Sequence, residues 1–201
     1  MGRFKVKKQD TFIDMTPMSD VMVLLLTFFM LTATFVKEEP VKVNAPGSVS
    51  EIAVPESNFM TIFVSNDGKV YLTMDGEATQ GAMLDNLQTN KSINVTPEQM
   101  KKLTQAPTIG VPLASVGTWI DQKNPNDYLL KGKDAGIPCD SVNDELKVWV
   151  TAAREANGED MHIAIKADEG TSYKVISQVM NSLRSIDENR YNLITNLKNE
   201  E

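Results

Sequence analysis

One acidic residue carries the clearest chemical possibility in this chain. Asp20 stands at the head of an uncharged, apolar run from Val21 to Val36. An ionised carboxylate in a bilayer is costly, and one retained there faces a protein partner or a water-filled path and handles protons or ions. Thr27 and Thr34 follow Asp20 at intervals of seven, so all three fall on nearly the same face of a helix, with Val23, Leu24 and Leu31 filling the gaps. That weakly polar stripe points at a partner. Plainer readings stand beside it: an acid near a helix N-terminus is favoured by the macrodipole and sits comfortably at headgroup level. Threonines in membrane helices also bond their own backbone or serve packing.

The stripe needs a helix to carry it. Residues 17–36 number twenty, about 30 Å at a rise of about 1.5 Å per residue, which matches a bilayer hydrocarbon core. Thr16 and Pro17 form a start signal, a capping side chain followed by a proline at the first helical position, and this register puts Asp20 in the first turn. Arg3, Lys5, Lys7 and Lys8 precede the run, whereas Lys37, Glu38 and Glu39 follow it. The cationic bias places residues 1–16 in the cytoplasm and the remainder outside. A cleaved signal peptide is the bland alternative, given the basic start, the apolar core and the small-residue patch at Thr32 to Thr34. Asp10, Asp14, Pro17 and Asp20 suit neither part of such a leader, so an uncleaved anchor is expected.

A chain of 201 residues with 41% hydrophobic content supports one anchor and one globular domain. The net charge of -7 and the lack of a Lys/Arg cluster beyond the leader argue against a nucleic-acid partner. Cys139 is the one cysteine, so no intramolecular disulfide is possible and the outer domain must be held by its core.

Past the anchor, residues 37–58 contain Pro40, Pro46, Gly47 and Pro55 and read as an extended linker. Residues 59–201 read as the outer domain. Phe59 to Val64 and Lys69 to Thr73 flank the turn cluster Ser65-Asn-Asp-Gly68, a hairpin signature. The stretch of about 75–140 mixes short helical patterns, such as Pro97 to Leu103 behind a Thr96 cap, with breaks at Pro107, Pro112, Pro125 and Pro138, and reads as an insertion. Val142 to Ala156 is an amphipathic helix with Val142, Leu146, Val148, Trp149 and Ala153 inward. Met161 to Lys166 is a strand, Ser172 to Ile186 a helix with Val175, Ile176, Val179, Met180 and Leu183 inward, and Tyr191 to Thr195 a closing strand. The expected class is α+β, a single N-terminal transmembrane helix followed by a small sheet with helices packed on one face.

Catalytic chemistry finds little support elsewhere. His162 is the only histidine and reads as a sheet residue, without metal-ligand spacing or a nucleophile partner. Gly132 and Gly136 are isolated, and no phosphate-binding loop or dinucleotide fingerprint occurs. Lys166-Ala-Asp-Glu-Gly170 has a site-like composition but is better read as a strand end turning into a helix capped by Thr171 or Ser172. Neither an enzyme nor a cofactor or metal is expected.

The run Ile13-Asp-Met-Thr-Pro-Met-Ser-Asp-Val-Met-Val-Leu-Leu-Leu-Thr-Phe-Phe-Met30 resembles the membrane signature of the ExbD/TolR biopolymer-transport proteins. Ile163-Ala-Ile-Lys-Ala-Asp168 with Tyr173 and the helix that follows is similar to the family's periplasmic ending, and Val43-Asn-Ala-Pro46 and the Asp67-Gly68 hairpin are weaker echoes. Residues 75–140 depart from compact members, and Asp14 stands where many members have Asn. The resemblance implies a single-pass inner-membrane subunit with a periplasmic C-terminal domain. It further implies a homodimer seated in a pore of ExbB/TolQ-like polytopic helices, with Asp20 as the functional membrane acid and Thr27 and Thr34 as hydrogen-bonding neighbours. Proton passage would then energise a TonB- or TolA-like periplasmic partner. TonB-type uptake is preferred over Tol-type envelope maintenance. The competing class is a membrane-tethered periplasmic binding module in which Asp20 serves only the helix dipole; a secreted enzyme is a third and lacks a catalytic cluster.

Overall fold

The computed structural model describes residues 15–32, 43–48, 58–132, 134–140, 143–158 and 160–197. The chain divides into two units, Met1–Lys37 and Glu38–Glu201. In the first, α1 runs from Thr16–Thr32. In the second, two short strands, β1 (Gly47–Ser48) and β6 (Asn196–Leu197), pair in parallel. A separate four-stranded sheet has the order β3-β2-β4-β5, built from β2 (Phe59–Val64), β3 (Val70–Met74), β4 (His162–Ala167) and β5 (Tyr191–Leu193). The hairpin read from the sequence is present: β2 and β3 are antiparallel, Ile62 opposite Leu72, and Gly68 adopts φ 75 in the turn. β4 joins β2 in parallel, Ile62 beside Ile165, and β5 joins β4 in parallel. The sheet is therefore mixed, and the domain is α+β.

Alternation along the strands puts Met60, Ile62, Val64, Leu72 and Ile165 on one face, and all are fully buried. They join one core with Met83, Leu84 and Leu87 of α2 (Glu77–Thr89), Leu146, Trp149 and Val150 of α6 (Glu145–Asn157), and Val179 and Leu183 of α7 (Tyr173–Arg184). Each such side chain contributes about 1.5–3 kcal/mol by leaving water. α2 and α6 pack side by side and run antiparallel, with Asn86 Nδ2 donating to the Ala152 carbonyl at 3.4 Å and Asn157 Nδ2 to the Thr79 carbonyl at 3.3 Å.

The expectation of helices on one face needs correction at β3. Phe63 and Tyr71 sit opposite each other on the other face and are each 3% exposed. The Tyr71 hydroxyl donates to the Leu129 carbonyl in α5 (Pro125–Lys131) at 3.0 Å. Burial, with Asp67 adding to it, holds the Tyr71 hydroxyl above its ordinary pKa. Gly110 lies flat against the same ring, where any Cβ would strike it. Ile109 exchanges two backbone hydrogen bonds with Leu72, at 2.7 and 2.8 Å, and so covers the outer edge of β3.

Residues 75–140, read as an insertion, are structurally integral. They hold α2, α3 (Pro97–Gln105), α4 (Val116–Ile120) and α5, and they bury Leu84, Leu103, Ile109, Trp119 and Leu129 to 1% exposure or less. α3 begins where the sequence placed it, with a capping box between Thr96 and Gln99. Buried Gln80 ties α2 to the end of α3, its amide donating to the carbonyls of Leu103 (2.7 Å) and Ala106 (3.0 Å).

Three boundaries differ from expectation. The helix expected from Val142 starts at Glu145, where the backbone N–H groups of Glu145 and Leu146 reach back to the Pro138 carbonyl; Val142 lies outside the described residues. In α7, Val175, Ile176 and Met180 are only half-buried, because the fully buried positions are Val179, Ser182 and Leu183. The closing strand splits after Leu193, since Ile194 still donates to the Ile165 carbonyl at 2.9 Å while Asn196 and Leu197 pair with β1.

Candidate functional site

α1 is built from one charged residue and sixteen uncharged ones, Asp20 being the exception. The Ser19 N–H donates to the Met15 carbonyl at 3.1 Å, so the ladder is already established one residue ahead of Asp20. The helix starts at Thr16 with no acid in its first turn, which corrects the expected register. Asp20 thus sits a full turn inside, where the dipole's attraction for an anion has largely faded. All described side chains of the helix are exposed within their unit, the large apolar ones from Leu25 at 52% to Leu31 at 87%. An open groove of about 490 Å³ runs along one side, lined by Val21, Leu24, Leu25, Thr27, Phe28 and Leu31. The Thr27 hydroxyl donates to the backbone carbonyls of Leu24 (2.9 Å) and Val23 (3.0 Å). Its hydrogen is therefore committed to the helix, and its free lone pairs are what it can offer a neighbour. Thr34, the third member of the stripe, lies outside the described residues, as do residues 33–36 of the expected span. The 17 residues of α1 give about 25 Å of helix, and among the described residues no helix is long and apolar enough to cross a membrane.

The other chemistry-bearing residues are dispersed. His162 is exposed at the first position of β4, beside Phe59. Among the described residues no group of three His, Cys, Asp or Glu side chains is arranged to hold a metal ion. Cys139 is half-buried, and burial, aided by Asp140 and Asp144, pushes its thiol up to about 11. That leaves almost no thiolate at neutral pH, so the sulfur is a poor nucleophile. Lys166 sits over the Phe63 ring, Nζ 5.2 Å from its centroid. Asp168 closes the turn after β4, its Oδ1 accepting from the Gly170 N–H at 3.0 Å. The expected cap for α7 is only half right: Ser172 holds the N-cap position without a side-chain bond, while the Thr171 hydroxyl donates to Ser65 and Val64 carbonyls.

Asp20 and Thr27 are thus on one helix face, and α1 itself carries no second titratable side chain. The chain's pattern matches the family model described as Biopolymer transport protein ExbD/TolR over residues 7–197. The chain belongs to the ExbD/TolR family. Similarity to curated members is shorter: it is 34% identical over 68 residues to a biopolymer transport protein exbD2 of Vibrio cholerae serotype O1, covering 33% of this chain and 51% of the relative. It is 32% identical over 66 residues to a biopolymer transport protein ExbD of Aquifex aeolicus, 33% of this chain and 50% of that one. The match spans about half the length of these ExbD relatives, and the same residues are a third of this chain, so the relatives are the shorter proteins. No solved structure matches.

Sequence reasoning missed α2 as an element, although Gln80, Met83, Leu84 and Leu87 have the i, i+3, i+4, i+7 spacing of a buried face. Gly81 and the polar residues around it diluted that signal. It also missed the ion pair of Arg154 with Glu188, which no local pattern announces.

Proposed function

We propose that this protein is a proton-motive-force-coupled inner-membrane motor subunit that energises a TonB-type system for outer-membrane uptake. The observation that carries the reading is Asp20, the one charge on α1, held a turn inside the helix and followed by Thr27 one heptad on. Residues 1–16 are cytoplasmic, 17–36 span the inner membrane, 37–58 link, and 59–201 form the periplasmic domain. Two copies pair and enter a pore formed by an ExbB/TolQ-like polytopic protein, which covers the apolar sides of α1. Asp20 alternates between charged and neutral forms as water access changes, and one charge crossing about 100 mV supplies about 2.3 kcal/mol. Thr27 and Thr34 accept hydrogen bonds along the path. The outer domain passes the resulting movement to a TonB/TolA-like periplasmic protein. Both named relatives are ExbD proteins, which favours uptake over TolR-like envelope maintenance.

The test is Asp20→Asn at native expression, scored for partner-dependent uptake and for copurification of the polytopic subunit. Uptake is expected to be lost while the complex still assembles. Retained uptake would remove the proton role and leave a membrane-tethered binding module as the better reading.

A further inference from the structure

The outer unit grips the chain that enters it. Val43 and Ala45 are buried at 8% and 6% exposure, unusual for a segment rich in linker residues. The Asn44 N–H donates to Asp168 Oδ2 at 3.0 Å, and the Asn44 carbonyl accepts from the Glu169 N–H at 2.9 Å. Three residues further, Gly47 and Ser48 pair with Asn196 and Leu197. Residues 43–48 are thus fastened at two points, the turn after β4 and the last strand.

The turn that does the fastening is itself stiff. Asp168 N–H donates to the Val64 carbonyl at 2.9 Å, and the Thr171 hydroxyl donates to the Ser65 carbonyl at 3.1 Å. Gly170 lies so close to Asn66 that a Cβ there would meet its side-chain amide. Asp168 therefore stands on the junction of β4, the β2–β3 hairpin turn and the start of α7. Its carboxylate uses one oxygen to close its own turn and the other to hold Asn44.

We propose that residues 43–48 are a strap and that Asp168 is the clasp that couples chain movement arriving from the N-terminal side stiffly to the β4–α7 junction. Without the clasp, the strap would be held only by the Glu169 N–H on the Asn44 carbonyl and by the β1–β6 pairing, and movement would reach the β4–α7 junction less directly. Asp168 acts here as a positioning residue, a job that the site-like Lys166-Ala-Asp-Glu-Gly170 composition did not reveal. The inference rests on the motor reading for what the movement does, but the strap itself is testable without it.

Hydrogen exchange on the full chain, copurified with its membrane partner, would compare wild type with Asp168→Ala and Asn44→Pro. The first removes the acceptor; the second removes the N–H donor on the strap, with the backbone restriction proline brings, and leaves the Asp168 turn intact. Both are expected to speed exchange across residues 45–48 and 196–197 by about tenfold, as for loss of one charge-assisted hydrogen bond. Amides of β2 and β4 should keep their protection, and partner-dependent uptake should fall in both variants. Unchanged strap exchange in Asn44→Pro would overturn the clasp. A strap that opens while uptake persists would overturn its coupling role. If Asp168→Ala loosens the core as well, Asn44→Pro alone decides. Failure of the motor reading appears separately, as uptake retained in Asp20→Asn with the strap closed.

Discussion

Arg154→Met should destabilise the outer domain well beyond the loss of a surface ion pair. Arg154 leaves the last turn of α6 and forms a two-pronged pair with Glu188, Nε to Oε1 at 2.5 Å and Nη2 to Oε2 at 2.6 Å. Its Nη1 donates to the Met161 carbonyl at 2.6 Å and the Gly158 carbonyl at 3.2 Å, so one guanidinium joins the α6–β4 and α7–β5 connections. The two side chains are only 21% and 16% exposed. Removing one member of a fully buried pair costs about 3–5 kcal/mol, and of an exposed pair about 0–1 kcal/mol. At this exposure we expect about 2–3 kcal/mol, which lowers a urea midpoint by about 1–2 M for ordinary slopes. Trp119 and Trp149, the only two tryptophans, are 1% and 0% exposed, so intrinsic fluorescence of the full chain in detergent reports unfolding of this unit alone. The double variant Arg154→Met with Glu188→Leu, which leaves no orphaned charge, should recover at least about 1 kcal/mol in the cycle. A single-variant cost below about 0.5 kcal/mol, or strictly additive costs, would refute the reasoning.

Gly110→Ala should cost about 1–3 kcal/mol by forcing the Tyr71 ring from its seat, measured by the same fluorescence titration; a neutral result would mean that the ring can shift freely. Cys139 should alkylate slowly at neutral pH, roughly a hundredfold below an ordinary thiol, with the rate climbing as pH approaches about 11, because only the thiolate reacts. A rate typical of an exposed cysteine at pH 7.5 would contradict the burial. Cys139→Ser should leave uptake unchanged, since the sulfur is a poor nucleophile and forms no disulfide within the chain.

What could be read from the sequence was what is encoded locally. The hairpin was legible because apolar strands flank Asn66, Asp67 and Gly68, and α3 because Thr96 and Gln99 form its capping box in four residues. The family followed from the run around Asp20, where an acid and a proline border uncharged residues. Other features depend on partners distant in sequence. Gly47 pairs with Asn196, Arg154 with Glu188, and Asn44 with Asp168; none leaves a periodic or compositional trace. The first-turn placement of Asp20 failed because the helix ladder begins from Met15, so Thr16 and Pro17 lie inside the helix. The one-face sheet failed because strand alternation cannot say that α5 will cover Tyr71.

The parallel pairing of β2 with β4 also has a consequence in time. These central strands join Phe59 to His162, roughly a hundred residues apart. The β2–β3 hairpin can form early, but an isolated hairpin is only marginally stable in water. Closure of the sheet must therefore wait until β4, residues 162–167, has been made, and its large loop-closure cost slows folding. Until β4 arrives, Met60, Ile62 and Val64 stay open to solvent and to other chains. The nascent protein is most vulnerable to aggregation and proteolysis in the interval between making its first strand pair and making β4.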